Sequence, residues 1–158
     1  MEAPADFETL GSPEAYVGYE RAENLVVHDG VLPDGPRAYG DPPPLELNQW
    51  SLSGNWTVGR QATVMNEAGG RITFRFHARD LNLVLGPSPS EAPVRFRVLI
   101  DGAPPGPAHG LDVDEEGNGT IADARLYQLI RQGGPIADRT FEITFLDDGV
   151  QAYVFTFG

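Results

Sequence analysis

From Gln49 to Met65 the chain alternates, and that alternation limits what it can become. Trp50, Leu52, Trp56, Val58, Ala62 and Val64 are apolar or small, while Gln49, Ser51, Ser53, Asn55, Thr57 and Gln61 between them are polar. A period of two is the mark of a half-buried strand, so this stretch reads as one long strand, or as two strands joined at Gly59. The pattern recurs downstream. "RITFRFHA" puts Ile72, Phe74 and Phe76 on one face, "LNLVLG" closes on a glycine, and "VRFRVLID" puts Val94, Phe96, Val98 and Ile100 on one face. "RTFEITFLDDGVQAYVFTFG" groups Phe141, Ile143 and Phe145, turns at Asp147-Asp148-Gly149 and returns through an aromatic last strand. "RLYQLIRQ" fits a helical turn through Leu126, Leu129 and Ile130, but Gly133-Gly134-Pro135 follows soon after, and a strand is the preferred reading. Strands punctuated by Gly and Pro, with no sustained helical stretch, indicate an all-β fold, a jelly-roll-like antiparallel β-sandwich.

The first fifty residues differ. "HDGVLPDGPRAYGDPPPLEL" is too rich in Pro, Gly and Asp for anything but loop or isolated edge pairing. The expected organisation is a loose segment over residues 1–13, then one β-sandwich domain over 14–158 that carries an irregular N-terminal arm. A chain of 158 residues builds one good core, so a second full domain is not expected. The opening "MEAPADFETLGSPEAYVGYE" has neither a basic start nor an apolar run, so this form is expected to be cytosolic or a piece of something longer, without membrane insertion.

Charge narrows the partners. A net charge of -12 repels nucleic-acid phosphate, so no nucleic-acid partner is expected. The charge is uneven, with six arginines against three acids in residues 51–100. On the polar side of "RITFRFHARD" lie Arg71, Thr73, Arg75, His77 and Arg79, and on that of "VRFRV" lie Arg95 and Arg97. If these two strands share a sheet, the arginines form a patch whose planar guanidinium forks suit carboxylate or phosphate groups. The candidate ligand-binding set is therefore Arg71, Arg75, His77, Arg95 and Arg97. The competing reading, which we favour, covers the patch internally with Glu142 or with acids of residues 1–46.

Other chemistry is thinner. The chain has no cysteine, which removes disulfides, thiol redox work and thiolate metal sites. His28, His77 and His109 sit in no Gly-x-Ser-x-Gly context, and no His-x-His or His-x-x-x-His pair suggests zinc. "GLDVDEEGNG" offers Asp112, Asp114 and Glu116 as a calcium set, the minor reading. The major reading is an acidic turn, because Glu116, Gly119 and Asp123 stand where a helical calcium loop carries other residue types. Trp50 and Trp56 share the parity of Leu52 and Val58, which points to core rather than to a sugar-stacking platform. Tyr16, Tyr19, Tyr39 and Tyr127 fall in loops or ambiguous segments and are freer to serve as platforms.

Several ordered blocks together carry a family resemblance: "EAYVGYERAENL", "LSGNWTVGRQ", "GRITFRFHARDLNLVLG", "RVLIDGAPPGPAHGLDVDEEGNGT", "RLYQLIRQ" and "ADRTFEITFLDDGVQAYVFTFG". From about Pro13 onward the chain resembles the C-terminal β-sandwich module of DipZ-type proteins, bacterial fusions of a membrane electron-transfer domain with an extracytoplasmic thioredoxin-like domain. The resemblance implies a fold similar to carbohydrate-binding jelly rolls and a place in the cell envelope. Redox activity does not carry over, since it belongs to a Cys-x-x-Cys site that this chain lacks. What it implies is a non-catalytic accessory module that binds a glycan or another envelope component. One alternative is a docking module that orients a thioredoxin-like domain, with Tyr16, Tyr19 and Arg21 as contacts. A sugar-active sandwich enzyme is the other.

Overall fold

Each alternating stretch forms a strand in the computed structural model, which describes residues 10–158. The strands are β1 (Ala15–Tyr16), β2 (Pro36–Tyr39), β3 (Trp50–Val58), β4 (Thr63–Met65), β5 (Arg71–Phe76), β6 (Asp80–Gly86), β7 (Val94–Ile100), β8 (Asn118–Ile121), β9 (Arg125–Arg131), β10 (Arg139–Phe145) and β11 (Gln151–Phe157). All named strands pair antiparallel. The ambiguous "RLYQLIRQ" segment is β9. Among the described residues no helix is long and apolar enough to cross a membrane.

Two layers share one strand. The first runs β8-β7-β10-β5-β3 and the second β3-β4-β11-β6-β9, with β2 beside β3 and β1 beside β11. Trp50–Ser53 pair with β5, whereas Gly54–Thr57 pair with β2 and Trp56–Val58 with β4. The strand bends at Gly54, whose φ is +99° and whose absent Cβ would lie 2.8 Å from the Gly70 Cα. Only glycine meets both conditions.

The inward faces of the layers interdigitate into one core. Trp50, Leu52, Phe74, Phe141 and Phe145 meet Trp56, Leu83, Tyr127 and Phe155, all fully buried. Phe74 and Phe155 have ring centroids 4.9 Å apart, and Trp56 meets Phe145 edge-on at 6.0 Å. Each indole N–H keeps a partner, Trp50 on the Glu23 carbonyl and Trp56 on that of Ser53, both at 2.8 Å. Both tryptophans are core, in line with their parity. Tyr39 and Tyr127 are buried as well, so they are not stacking platforms; the Tyr127 hydroxyl donates to the Asp123 carbonyl at 2.7 Å. The parity itself needs one correction. Val58 faces Thr63 and Trp56 faces Met65 across the β3–β4 hairpin, so the inward set passes from even to odd positions. Thr63 and Met65 are buried and Val64 is half-buried, against the expectation that placed Val64 with the tryptophans.

Among the described residues the arm is mostly irregular, with β1 and β2 its only strands, and it is tied to both layers. The Gly11 N–H donates to the His77 carbonyl at 2.7 Å, and the Ser12 hydroxyl donates to Asn48 Oδ1 at 2.6 Å while accepting from the His77 N–H at 2.9 Å. Val17 is fully buried, and residues 24–26 bond to both sides of Trp50. Of the segment expected to be loose, residues 1–9 lie outside the described residues.

Candidate functional site

The arginine face forms because β5 and β7 lie in one sheet, but β10 runs between them. Thr144 of β10 stands opposite Arg71 on one side and Arg97 on the other. Most of the face is then paired with acids. Arg71 meets Asp41 at 2.6 Å, and Arg75 reaches Thr140 Oγ1 at 3.1 Å and Asp101 at 3.9 Å. His77 Nδ1 lies 2.8 Å from Asp138, and Arg95 grips Asp147 with Nε and Nη2 at 2.9 and 3.0 Å. Arg97 is exposed and has no ion pair among the described residues. Only Asp41 comes from the arm. The other acids, Asp101, Asp138 and Asp147, sit at the ends of β7 and β10, where sequence reasoning had not looked; Asp101-Gly102 and Asp147-Asp148-Gly149 are the turn signals that mark two of them. Glu142 takes part in none of these pairs.

Two of these carboxylates, Asp101 and Asp147, are biased toward the ionised form. For Asp101 burial alone would raise the pKa, but the Thr140 N–H and the Arg139 guanidinium together bring it below its ordinary value. Hydrogen bonds from the Arg95 side chain and backbone hold Asp147 at about 2, against an ordinary value of 3.8. A folded pKa below the unfolded one contributes stability that is present above the unfolded value and is lost as pH falls toward about 2. Asp147→Asn is therefore expected to flatten the acid side of the stability profile between about pH 4 and about pH 2. Urea midpoints across that window check this, and parallel profiles for the two proteins would show that the pair contributes nothing.

Arg79 leaves the face altogether. With Arg131 of β9 it encloses Asp80, a residue only 4% exposed. Arg79 donates Nε and Nη2 at 3.0 and 2.9 Å, and Arg131 donates the same pair at 3.0 and 3.1 Å. Both carboxylate oxygens are thereby satisfied twice, which is what allows a charge to be buried there.

The acidic turn does not gather a metal set. Asp112 is occupied by Arg125 at 2.8 Å and by the Gln128 N–H at 2.7 Å. Asp114 Oδ1 accepts the Glu116 and Asn118 N–H groups at 3.0 and 2.9 Å, closing a turn in which Gly117 has a φ of +91°. Among the described residues no three His, Asp or Glu side chains are placed to hold a metal ion. Asp112, Asp114 and Glu116 thus serve an ion pair and a turn, because Arg125 and Gln128 on β9 draw Asp112 away from the other two.

The arm shapes a groove. Tyr16 and Arg21 come together there, the guanidinium 3.7 Å above the ring centroid, and the Tyr16 hydroxyl donates to Glu14 at 3.0 Å. Tyr19 does not join them; its hydroxyl donates to Asp34 at 2.9 Å, and that acceptor raises its pKa. On one side of the Tyr16–Arg21 pair a cavity of about 210 Å³ is lined by Glu20, Arg60, Gln61 and Tyr153. On the other a cavity of about 510 Å³ is lined by Glu14, Glu23, Asn24 and Asn48, with Phe74 of the core at its wall. Tyr16, Glu20 and Arg21 line both. Glu20 is held by Arg60 at 3.0 Å. Sequence reasoning found Tyr16 and Arg21 but not Glu20, Asn48 or Tyr153, which reach the groove from the arm, the entry to β3 and the paired strand β11.

A solved structure of CsCBM6-3 from Clostridium stercorarium in complex with cellobiose aligns with a TM-score of 0.34 and 12% identity, covering 61% of this chain and 72% of that one. Protein DipZ of Mycobacterium bovis and Protein DipZ of Mycobacterium tuberculosis are each 25% identical over 147 residues, 93% of this chain. The chain spans 18% of the length of these relatives. The family model described as Thioredoxin like C-terminal domain matches residues 12–158, and the chain belongs to that family.

Proposed function

We propose that the chain is a non-catalytic accessory module that binds a glycan of the cell envelope in the groove astride Tyr16 and Arg21. The observation that carries the reading is the make-up of the two cavities, which share an aromatic ring and surround it with carboxylates and amides. Sugar hydroxyls need donors and acceptors around their rims and an apolar face for their C–H surface, and this lining offers both. The larger cavity falls within the usual range of ligand sites, about 300–1,000 Å³. The arginine face is the weaker candidate, because all but one of its cations already hold a carboxylate of the same chain. The non-catalytic part of the reading rests on the exposure of Glu14, Glu20 and Glu23. A glycoside hydrolase needs one carboxyl desolvated enough to stay protonated as an acid.

The test is a titration of the full chain with cell-wall fragments, following the amide signals of residues 14–24. Tyr16→Ala is expected to weaken binding by about tenfold, the order of one stacked aromatic contact, while the double variant Arg75→Ala, Arg97→Ala leaves it unchanged. Loss in the double variant with binding intact in Tyr16→Ala would move the site to the arginine face. If no fragment binds and a thioredoxin-like domain shields residues 16–21 from hydrogen exchange, the groove is a docking surface instead.

A further inference from the structure

We propose that the two cavities are adjoining subsites for a single oligosaccharide of two or more rings that bears no acidic groups, and that Arg21 closes the passage between them until the glycan displaces it. The inference rests on the glycan-binding reading of the groove and adds the ligand class and the gate.

The cavities do not open at opposite ends of the molecule; they meet at a wall made by Tyr16, Glu20 and Arg21. A single ring fills one side only. A chain of rings has to pass the Tyr16 side chain, and there the guanidinium of Arg21 already covers a ring face, at 3.7 Å from its centroid. Arg21 is held lightly. Among the described residues it makes no ion pair, although Glu14, Glu20 and Glu23 line the same groove. An exposed cation over an aromatic ring is a weak contact, and the carboxylates around it can receive the guanidinium once a sugar ring takes its place on Tyr16.

Charge sets the class. The groove holds three glutamates against two arginines, and Arg60 is already paired with Glu20 at 3.0 Å. The whole chain carries a net charge of -12. A uronic-acid chain entering this field is repelled both at long range and at the carboxylate rim, whereas hydroxyl and acetamido groups find Asn24 and Gln61 as neutral partners.

The experiment is calorimetric titration of the full chain with chitin oligosaccharides of one to six units and with oligogalacturonates of the same lengths. Expected is a steep gain in affinity from one ring to two or three, no binding of the oligogalacturonates, and binding tightened about two- to fivefold in Arg21→Ala, where the competing cation is gone. Weaker binding in Arg21→Ala would make the guanidinium a ligand contact and overturn the gate. A flat length dependence would overturn the paired subsites, and preferential binding of the oligogalacturonates the ligand class. Each of these results leaves glycan binding itself standing; failure of both series to bind the unaltered chain overturns that reading together with this one. Because Arg21 is exposed, an unchanged melting temperature in Arg21→Ala separates its effect from any change in folding.

Discussion

Asp80→Asn is expected to destabilise the fold by about 3 kcal/mol, the lower end of what breaking a buried ion pair costs. The carboxylate is 6% exposed as a side chain, whereas its partners Arg79 and Arg131 keep 24% and 32%. The amide has nearly the same shape, so packing changes little. What changes is that two guanidinium groups, set to point four N–H bonds at one anion, face a neutral group that accepts at one oxygen only. The arginines can turn partly to water, which is why the loss stops short of the upper range. Removing the whole group tests the argument from the other side. The triple variant Arg79→Met, Asp80→Leu, Arg131→Met is expected to recover most of the loss, since no charge is left without its partner. Urea denaturation of the three proteins checks both statements. A loss below about 1 kcal/mol for Asp80→Asn would show a solvated surface contact in place of a buried one.

Gly117→Ala is expected to cost about 3–5 kcal/mol, for two reasons that act together. The residue has a φ of +91°, and an added Cβ would lie 2.1 Å from the Val98 carbonyl oxygen. That oxygen belongs to the backbone of β7, and the Val98 N–H donates to the Gly117 carbonyl at 2.8 Å, so neither partner can retreat without breaking the turn from the sheet. Gly102 separates the two causes. It has a φ of +80° with open space where its Cβ would stand, and Gly102→Ala is expected to cost only about 1 kcal/mol. Equal losses at the two positions, measured by urea denaturation, would mean that the turn at Gly117 relaxes and that the clash plays no part.

The contrast between these positions also shows what the sequence carried. Alternation is local, so the strands, the inward tryptophans and the turn glycines were legible from spacing. The parity switch at Thr63 was not, because it depends on which residues face each other across the hairpin. The ion pairs that occupy most of the arginine face were hidden for a similar reason. Arg95 and Asp147 are far apart in the chain, and only the antiparallel register of β7 with β10 brings the loop after β10 back to Arg95. Asp80 and Arg131 meet through the pairing of β6 with β9. Tyr127 was misread because a tyrosine can be buried when its hydroxyl finds a nearby carbonyl, as it does at Asp123. Tyr16 and Arg21 could be named, with Tyr19, as docking contacts because the three belong to one short segment. The rest of the groove was not, since Asn48 and Tyr153 join it from distant parts of the chain.

The last strand of the fold is an interior one. β11 has β6 on one side and β4 and β1 on the other, so the second layer stays divided until residues 151–157 arrive. A chain emerging from a ribosome delivers Tyr16 well before Val154, its neighbour in the sheet. Strand β1 must therefore wait for its sheet partner, whereas residues 19–26, which bond to residues 50–60, can settle earlier. The wall of the groove that Tyr16 and Tyr153 form is among the last features of the fold to be completed.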